Sequence, residues 1–202
     1  MNITTGNKKL GKFIPNLNQP AGITCRMDAP CKKGCYACKG AFNYEKVKES
    51  HRANLDAFLS DSDKFFNDII EYLNNGLVIY KYFRWHSSGD IVNMKYLIGM
   101  VKVAKACPST KFLAFTKKFE IVNLYLSVHQ ELPSNLTIVF SAWDKGFEVP
   151  NPFNLPMAYV DFKKKERNPQ LPQIALKCDG YCSKCQGCWN LKKNESVIFE
   201  QH

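Results

Sequence analysis

The sequence lacks any long apolar segment. No apolar run approaches the roughly 20 residues that a membrane-spanning helix needs. The segment from Met1 to Lys12 is polar and basic, without the apolar stretch of a secretory signal. We therefore expect neither membrane insertion nor secretion, and we place the protein in the cytoplasm.

Several catalytic signatures are also missing. The sequence contains no P-loop, no dinucleotide-binding glycine motif, no nucleophile elbow and no HExxH motif. Acidic residues are scarce, with 18 Asp and Glu against 28 Lys and Arg, for a net charge of +10. Common hydrolase and kinase chemistries therefore have no support. The charge favours an anionic partner such as nucleic acid, although surplus surface lysine would give the same balance.

Nine cysteines in 202 residues are fewer than the ~8–10% typical of a disulfide scaffold. Four lie between Cys25 and Cys38, four lie between Cys178 and Cys188, and Cys107 stands alone before Pro108. We interpret Cys107 as a small buried apolar residue. Tight clustering without a secretory signal favours ligation of a metal or cluster over disulfides.

Apolar patterning predicts an α/β fold. The predicted strands are 23–24, 77–85, 111–116, 136–143 and 157–162. The predicted helices are 93–106, 119–131 and two between 44 and 74, the second capped by Ser62 and stopped at Asn75-Gly76. This alternation indicates a mostly parallel sheet with a cysteine-rich C-terminal extension. We expect a cluster-binding domain over 1–162, and a metal-binding segment over 163–202 packed on it.

Polar residues follow the predicted strands at their carboxyl ends, where ligands bind in parallel α/β folds. These polar segments are 86–90, 116–118 and 141–144. His86 and Asp90 are candidates for a ligand or general base, although the loop's serines and Asp90 can equally cap the next helix. Lys117 can bind a carboxylate or phosphate, or be merely solvated. Asp144 fits a similar role or an ordinary turn.

The first cysteine group comprises Cys25, Cys31, Cys35 and Cys38. The last three have C-x3-C-x2-C spacing, which can hold three irons of a [4Fe–4S] cluster and leave the fourth iron open. A structural zinc loop is the alternative, because Zn²⁺ also accepts cysteine ligands. In a third interpretation Cys25, Cys31 and Cys35 are the ligands and Cys38 is a bystander.

The second cysteine group comprises Cys178, Cys182, Cys185 and Cys188, four thiols within eleven residues. Four thiolates can complete a zinc knuckle or a whole cluster without outside help. One chain segment rarely wraps a metal with ligands this close together, so one ligand can also come from the first cysteine group. The pattern predicts a metal but leaves its identity open.

Four motifs in order, TCRMDAPCKKGCYACKG, RWHSSGD, FLAFTKKF and a terminal CxxCxxCW, resemble the phage gene-product-88 domain family over about residues 20–190. The family pattern C-x5-C-x3-C-Tyr-Ala corresponds to Cys25, Cys31, Cys35, Tyr36 and Ala37, so Cys38 is an addition to it. The resemblance implies a bacteriophage protein in the cytoplasm of a bacterial host.

The C-x3-C-x2-C loop is also similar, more distantly, to radical S-adenosylmethionine enzymes. That similarity implies a partial (β/α) barrel with a [4Fe–4S] cluster and S-adenosylmethionine on its open iron. Ser87, Ser88, Gly89 and Asp90 take the place of the Gly-Gly-Glu motif that contacts the methionine amine, so Asp90 would accept from an ammonium. The chain departs from those enzymes at Ala37, where they have an aromatic residue, and in lacking Gly-Gly-Glu itself.

Three functions compete. The first is an iron–sulfur protein with one or two [4Fe–4S] clusters, acting in redox or S-adenosylmethionine chemistry, which would be brown. The second is a colourless, zinc-stabilised module that binds nucleic acid through its basic surface. The third is an interaction protein that alters a host enzyme, in which metal serves only for folding.

Overall fold

A computed structural model of the chain describes residues 1–143, 147–162 and 171–200. Asp144 lies outside the described residues, and so does a short basic run in the sequence from Lys163 to Arg167. Within them the chain forms an eight-stranded sheet in the order β1-β2-β3-β4-β5-β6-β8-β7, in which the pairs from β2 onward are parallel and β1 runs antiparallel to β2. The strands are β1 (Ile3–Thr4), β2 (Asn16–Leu17), β3 (Tyr82–Trp85), β4 (Lys111–Thr116), β5 (Leu136–Ser141), β6 (Met157–Asp161), β7 (Leu176–Lys177) and β8 (Ser196–Glu200).

Helices connect most of these strands. They are α1 (Glu45–Ser60), α2 (Ser62–Asn74), α3 (Met94–Ala106), α4 (Phe119–His129) and the single turn α5 (Cys182–Cys185). The prediction of Ser62 as an N-cap is wrong by one residue, because the Asp61 carboxylate accepts from the Lys64 amide at 2.9 Å. Asn93 is the N-cap of α3, because its side-chain oxygen accepts from the Tyr96 amide at 2.9 Å. The sequence predicted the start of that helix at this residue.

Helices α1 to α4 pack on one face of the sheet. Strands from β2 to β6 follow one another along the chain and across the sheet, so right-handed crossovers bring their helices to the same side. The core on this side includes the strand residues Phe83, Trp85, Phe112, Ala114, Ile138 and Phe140. This singly wound, open sheet confirms the predicted α/β fold and is consistent with a partial barrel.

The opposite face is covered by the two ends of the chain. Leu10 and Ile14 of the N-terminal arm, together with Cys188 and Trp189 of the C-terminal extension, form a second core. The strand residues in this core are Leu113, Val139, Ala158 and Val197. The described part of 163–202 therefore packs on the sheet, and it also contributes β7 and β8 to it.

Two strand predictions require correction. The strand at 23–24 is wrong, because the amide and hydroxyl of Thr24 both donate to the Pro20 carbonyl and close a turn. The strand expected from 77 begins only at Tyr82, since Leu77 is fully exposed and Ile79 largely so. Apolar composition at 77–79 indicated a buried strand, although Val78 too is partly exposed, at 43%.

Candidate cysteine-rich site

The first cysteine group lies at the carboxyl edge of the sheet. It occupies the connection between β2 and α1, which is built from 3₁₀ turns at Pro30–Gly34, Tyr36–Cys38 and Gly40–Asn43. The Tyr36 hydroxyl donates to the Ser87 carbonyl at 2.7 Å, and the Asp90 amide donates to the Thr24 hydroxyl at 3.0 Å. These bonds hold the cysteine loop against the loop that follows β3.

The thiols of this group lie within each other's electrostatic influence. Burial raises the pKa of Cys25, and the negative charges of Asp90, Cys35 and Cys31 raise it further. Burial also raises the pKa of Cys35, and the neighbouring Cys38 adds to this. Cys38 is exposed, whereas the other three are half-buried. Tertiary structure thus keeps the four cysteines in one region, in which burial raises the pKa of Cys25 and of Cys35.

The second cysteine group lies over the face of the sheet opposite the helices. The Trp189 indole donates to the Phe83 carbonyl at 2.9 Å, and the Thr137 hydroxyl donates to the Trp189 carbonyl at 3.0 Å. The Cys178 amide donates to the Ile198 carbonyl at 2.9 Å, and the Ser183 amide to the Lys9 carbonyl at 3.1 Å. The group is therefore fixed to β3, β5, β8 and the N-terminal arm.

The second group is also a neighbourhood of interacting thiols. Burial raises the pKa of Cys188 to about 12, opposed by the Arg84 cation and reinforced by the charges of Cys178 and Cys182. The Gly180 amide donates to the Cys178 sulfur at 3.4 Å. Such N–H···S bonds are one means by which a protein stabilises sulfur-ligated metal centres.

Arg84, on β3, lies near the second cysteine group and near Tyr36 of the first cysteine loop. Its guanidinium stacks on the Phe115 ring at 4.3 Å, and its Nε donates to the Trp85 carbonyl at 3.0 Å. Burial raises the pKa of Cys182 and of Tyr36, and the Arg84 cation lowers both. Sequence reasoning missed Arg84, because nothing local in an apolar strand indicates which cysteines its side chain will meet.

The two cysteine groups supply the type of ligand that a thiolate-bound metal needs, but their side chains are not arranged around a common point. Within 1–143, 147–162 and 171–200, no three His, Cys, Asp or Glu side chains are close enough together to hold a metal ion. The nine cysteines of the chain are all free thiols. Soft thiol ligands in fours are nevertheless the donor set that zinc and iron–sulfur centres use. Metal ligation therefore stays a prediction.

Asp90 is buried, and both of its carboxylate oxygens are occupied. Oδ1 accepts from the Thr116 hydroxyl at 2.6 Å and the Ile91 amide at 2.7 Å, while Oδ2 accepts from the Lys117 amide at 2.9 Å. Burial raises the pKa of Asp90, and these three donors oppose the rise. The carboxylate therefore ties the loop after β3 to the end of β4.

His86 is also buried, with backbone φ of 55° and 3% of its surface exposed. Its Nε2 lies 3.1 Å from the Tyr96 hydroxyl, which also accepts from the Gln19 amide at 3.2 Å. Burial and the Arg84 cation lower the pKa of His86 to about 3. A neutral imidazole is therefore held in the core, and its role as a general base remains a prediction.

The remaining predicted cofactor-binding residues hold the carboxyl edge together. The buried Ser88 hydroxyl donates to the Gln19 carbonyl at 3.1 Å, and its amide donates to the Asn18 side chain at 3.1 Å. Gly89 has φ of +75°, and a Cβ there would lie 2.6 Å from the Gln19 carbonyl oxygen. Ser87 receives the bond from Tyr36 described above. Their part in binding S-adenosylmethionine is untested.

Lys117 meets the end of the next strand. Its ammonium donates to the Ser141 hydroxyl at 2.9 Å and lies 5.5 Å from the centre of the Trp143 ring. The structure thus brings together polar residues that follow β4 and β5, as expected at the shared edge of parallel strands. Whether Lys117 binds an anion stays a prediction.

The fold and the site define the class of this protein: a singly wound α/β protein with one cysteine group at the carboxyl edge of its sheet and another on the open face. The family model for gene product 88 matches residues 1–191, and the chain belongs to that family. It is similar to the Gene 88 protein of Mycobacterium phage L5, with 25% identity over 229 residues, 98% of this chain and 92% of that protein. No solved structure matches it.

These comparisons confirm the predicted family and a bacteriophage protein. They do not show the similarity to radical S-adenosylmethionine enzymes. In the part of the chain that the structure describes, no helix has the length and apolar character to cross a membrane. The predicted cytoplasmic location and the predicted partners remain untested.

Proposed function

We propose that this phage protein binds two iron–sulfur clusters, one at each cysteine group, and acts in electron transfer. The observation that carries the proposal is the gathering of eight thiols into two separate neighbourhoods. The charges that raise the pKa of Cys25 and Cys35 come from their own group and Asp90, whereas the charges that raise the pKa of Cys182 and Cys188 come from the second group.

Cys25, Cys31, Cys35 and Cys38 would hold one cluster, and Cys178, Cys182, Cys185 and Cys188 the other. A bound cluster supplies a site that accepts and releases one electron. Ligation requires thiolates, so loading releases protons from thiols whose pKa burial has raised, and it draws the ligands together. Higher pH therefore favours loading.

The core argues against a merely structural zinc. Structural zinc commonly replaces a core that a small chain cannot build. Here the sheet and four helices enclose an extensive apolar core that includes seven side chains with more than 98% of their surface buried, namely Trp85, Tyr96, Phe65, Phe83, Phe112, Phe119 and Phe140. A core of this size can stabilise the fold without a metal, which favours a functional role for the cysteine groups.

The S-adenosylmethionine part of the hypothesis finds less support. An ammonium acceptor at Asp90 would need an accessible lone pair facing the first group. Asp90 is buried and already accepts from three protein donors, two on Oδ1 and one on Oδ2. We therefore limit the proposal to cluster binding and electron transfer.

The test is the metal content of the full chain purified without oxygen. We expect iron with equimolar acid-labile sulfide and a brown colour. Cys35→Ala and Cys182→Ala should each remove about half of the iron, since each disrupts one site. Cys107→Ala is the matched control, because Cys107 is a buried lone cysteine and its loss should leave the iron content unchanged. Zinc without sulfide would contradict the proposal.

A further inference from the structure

The N-terminal arm and the C-terminal extension meet on the face of the sheet opposite the helices. The Ser183 amide donates to the Lys9 carbonyl at 3.1 Å, and a Cβ at Gly11 would lie 3.1 Å from the Ser183 Cβ. Lys12 and Phe13 follow Gly11 directly in the chain. Two segments that are distant in sequence therefore form one continuous surface.

This surface, the arm–extension surface, is basic. Its members are the exposed residues Lys8, Lys9, Lys12, Phe13, Tyr181 and Lys184. Residues 1–14 contain three lysines and no acidic residue. The Asp179 carboxylate lies beside the surface, where it accepts from the Tyr181 amide at 2.8 Å. The lysines outnumber this carboxylate, so the surface attracts anions.

Two aromatic rings are interleaved with these lysines. Phe13 is 75% exposed and Tyr181 is 54% exposed. The Lys184 ammonium lies 5.7 Å from the centre of the Tyr181 ring. Helix α3 also carries three lysines and no acidic residue, but the exposed large apolar side chains of α1 to α4 are all aliphatic. Exposed rings among the lysines therefore distinguish the arm–extension surface from the basic helix α3.

We infer that the arm–extension surface binds single-stranded nucleic acid. Lysine ammonium groups attract phosphates whatever the base sequence, and exposed rings stack on unpaired bases. The bases of a duplex stack on one another, so only a single strand offers free base faces to Phe13 and Tyr181. Neither an ammonium nor an aromatic ring distinguishes ribose from deoxyribose. This binding goes beyond the proposed electron transfer and does not rest on it.

The test is the fluorescence anisotropy of a labelled oligothymidylate of about 15 nucleotides, titrated with the full chain at several salt concentrations. Phe13→Ala and Tyr181→Ala should each weaken binding about fivefold to a hundredfold and leave its salt dependence unchanged. Lys12→Gln should reduce the slope of log affinity against log salt by about 0.7, the contribution of one phosphate of a single strand. Lys105→Gln and Leu124→Ala are the matched controls, since both residues are exposed in the helical layer, and should change neither quantity.

An oligouridylate of the same length should bind as tightly as the oligothymidylate, and a DNA duplex should bind more weakly. The inference would be overturned by a lack of binding at low salt, by tighter binding of the duplex, or by a strong preference for one sugar. Equal losses in the ring variants and the helical controls would also overturn it. Urea unfolding checks that every variant folds. The iron content of the same protein tests the proposed function separately, because this binding needs no metal.

Discussion

Gly89 lies where the loop after β3 crosses the chain leading from β2 to the first cysteine group. Its φ of +75° lies in the left-handed region, and a Cβ would meet the Gln19 carbonyl oxygen at 2.6 Å. Gly22, on the same connection, has a similar φ of +79° and open space where its Cβ would be. These two glycines share a conformation and differ in the room around them.

Gly89→Ala should therefore destabilise the protein more than Gly22→Ala. Left-handed backbone alone costs each variant about 1 kcal/mol, and the clash with Gln19 adds roughly 1–3 kcal/mol at Gly89. Urea unfolding of both variants measures this difference. Equal losses would show that the loop does not pack as closely against Gln19 as described.

His86 makes stability depend on pH. Its pKa in the folded protein is about 3, below the ordinary value of 6.5, because of burial and Arg84. The unfolded chain therefore binds a proton that the folded chain excludes. Above pH 6.5 the imidazole is neutral in both states and does not change the free energy of unfolding. That free energy falls progressively as the pH drops from 6.5 toward 3, because the unfolded chain then binds the proton.

Between pH 7.5 and pH 5, this histidine should account for a loss of up to about 2 kcal/mol in the free energy of unfolding. His86→Asn, which tolerates the positive φ, should flatten the dependence by that amount. His129→Asn is the control, since His129 is exposed. A pH dependence that His86→Asn leaves intact would mean that the imidazole reaches solvent.

At the scale of elements, α2 and α3 approach each other closely at Gly99. A Cβ at Gly99 would lie 1.9 Å from the Phe66 ring. That ring is itself enclosed by Phe58, Phe65 and Tyr96, with ring centres 5.1–6.0 Å away. The glycine is in the middle of a helix, where alanine is intrinsically favoured by about 1 kcal/mol.

Gly99→Ala should nevertheless destabilise the protein by about 1–3 kcal/mol, because overpacking outweighs helix propensity here. Phe66→Leu in the same chain should recover part of the loss, which a double-mutant cycle measures. A stabilising Gly99→Ala would show that helix propensity prevails and that α2 and α3 can separate.

At the scale of the whole molecule, the C-terminal extension closes the open face of the sheet. Trp189 is 3% exposed and bonds to β3, while β8 pairs with β6 over five residues. The extension therefore needs the sheet in order to fold, and the sheet needs the extension to cover one of its faces. We expect the predicted segments 1–162 and 163–202 to unfold together.

Trp189→Ala should lower the free energy of unfolding by about 3–5 kcal/mol, with one cooperative transition and faster proteolysis throughout the chain. Tyr181→Ala, an exposed residue of the same extension, is the control and should change little. A separate early transition of the extension alone would instead establish two independent units.

The local sequence pattern predicted several strands and helices correctly. The bounds of β4 match the predicted 111–116, and α3 begins after Asn93 as expected, because the side-chain period and the caps are properties of neighbouring residues. The strand β8 was missed inside a polar tail. Its three apolar residues, Val197, Ile198 and Phe199, form a run too short to predict a strand. Its partner β6 lies far away in the sequence.

The sequence by itself determined the α/β alternation, the family and the existence of two cysteine groups, since periodicity and spacing are local. Tertiary structure decided what those groups meet. It placed one at the carboxyl edge and one on the open face, brought Arg84 near Tyr36 and the second group, and gave Asp90 a donor from Thr116 of β4. These relations depend on strand order and register, because residues distant in sequence become neighbours only when the sheet is assembled.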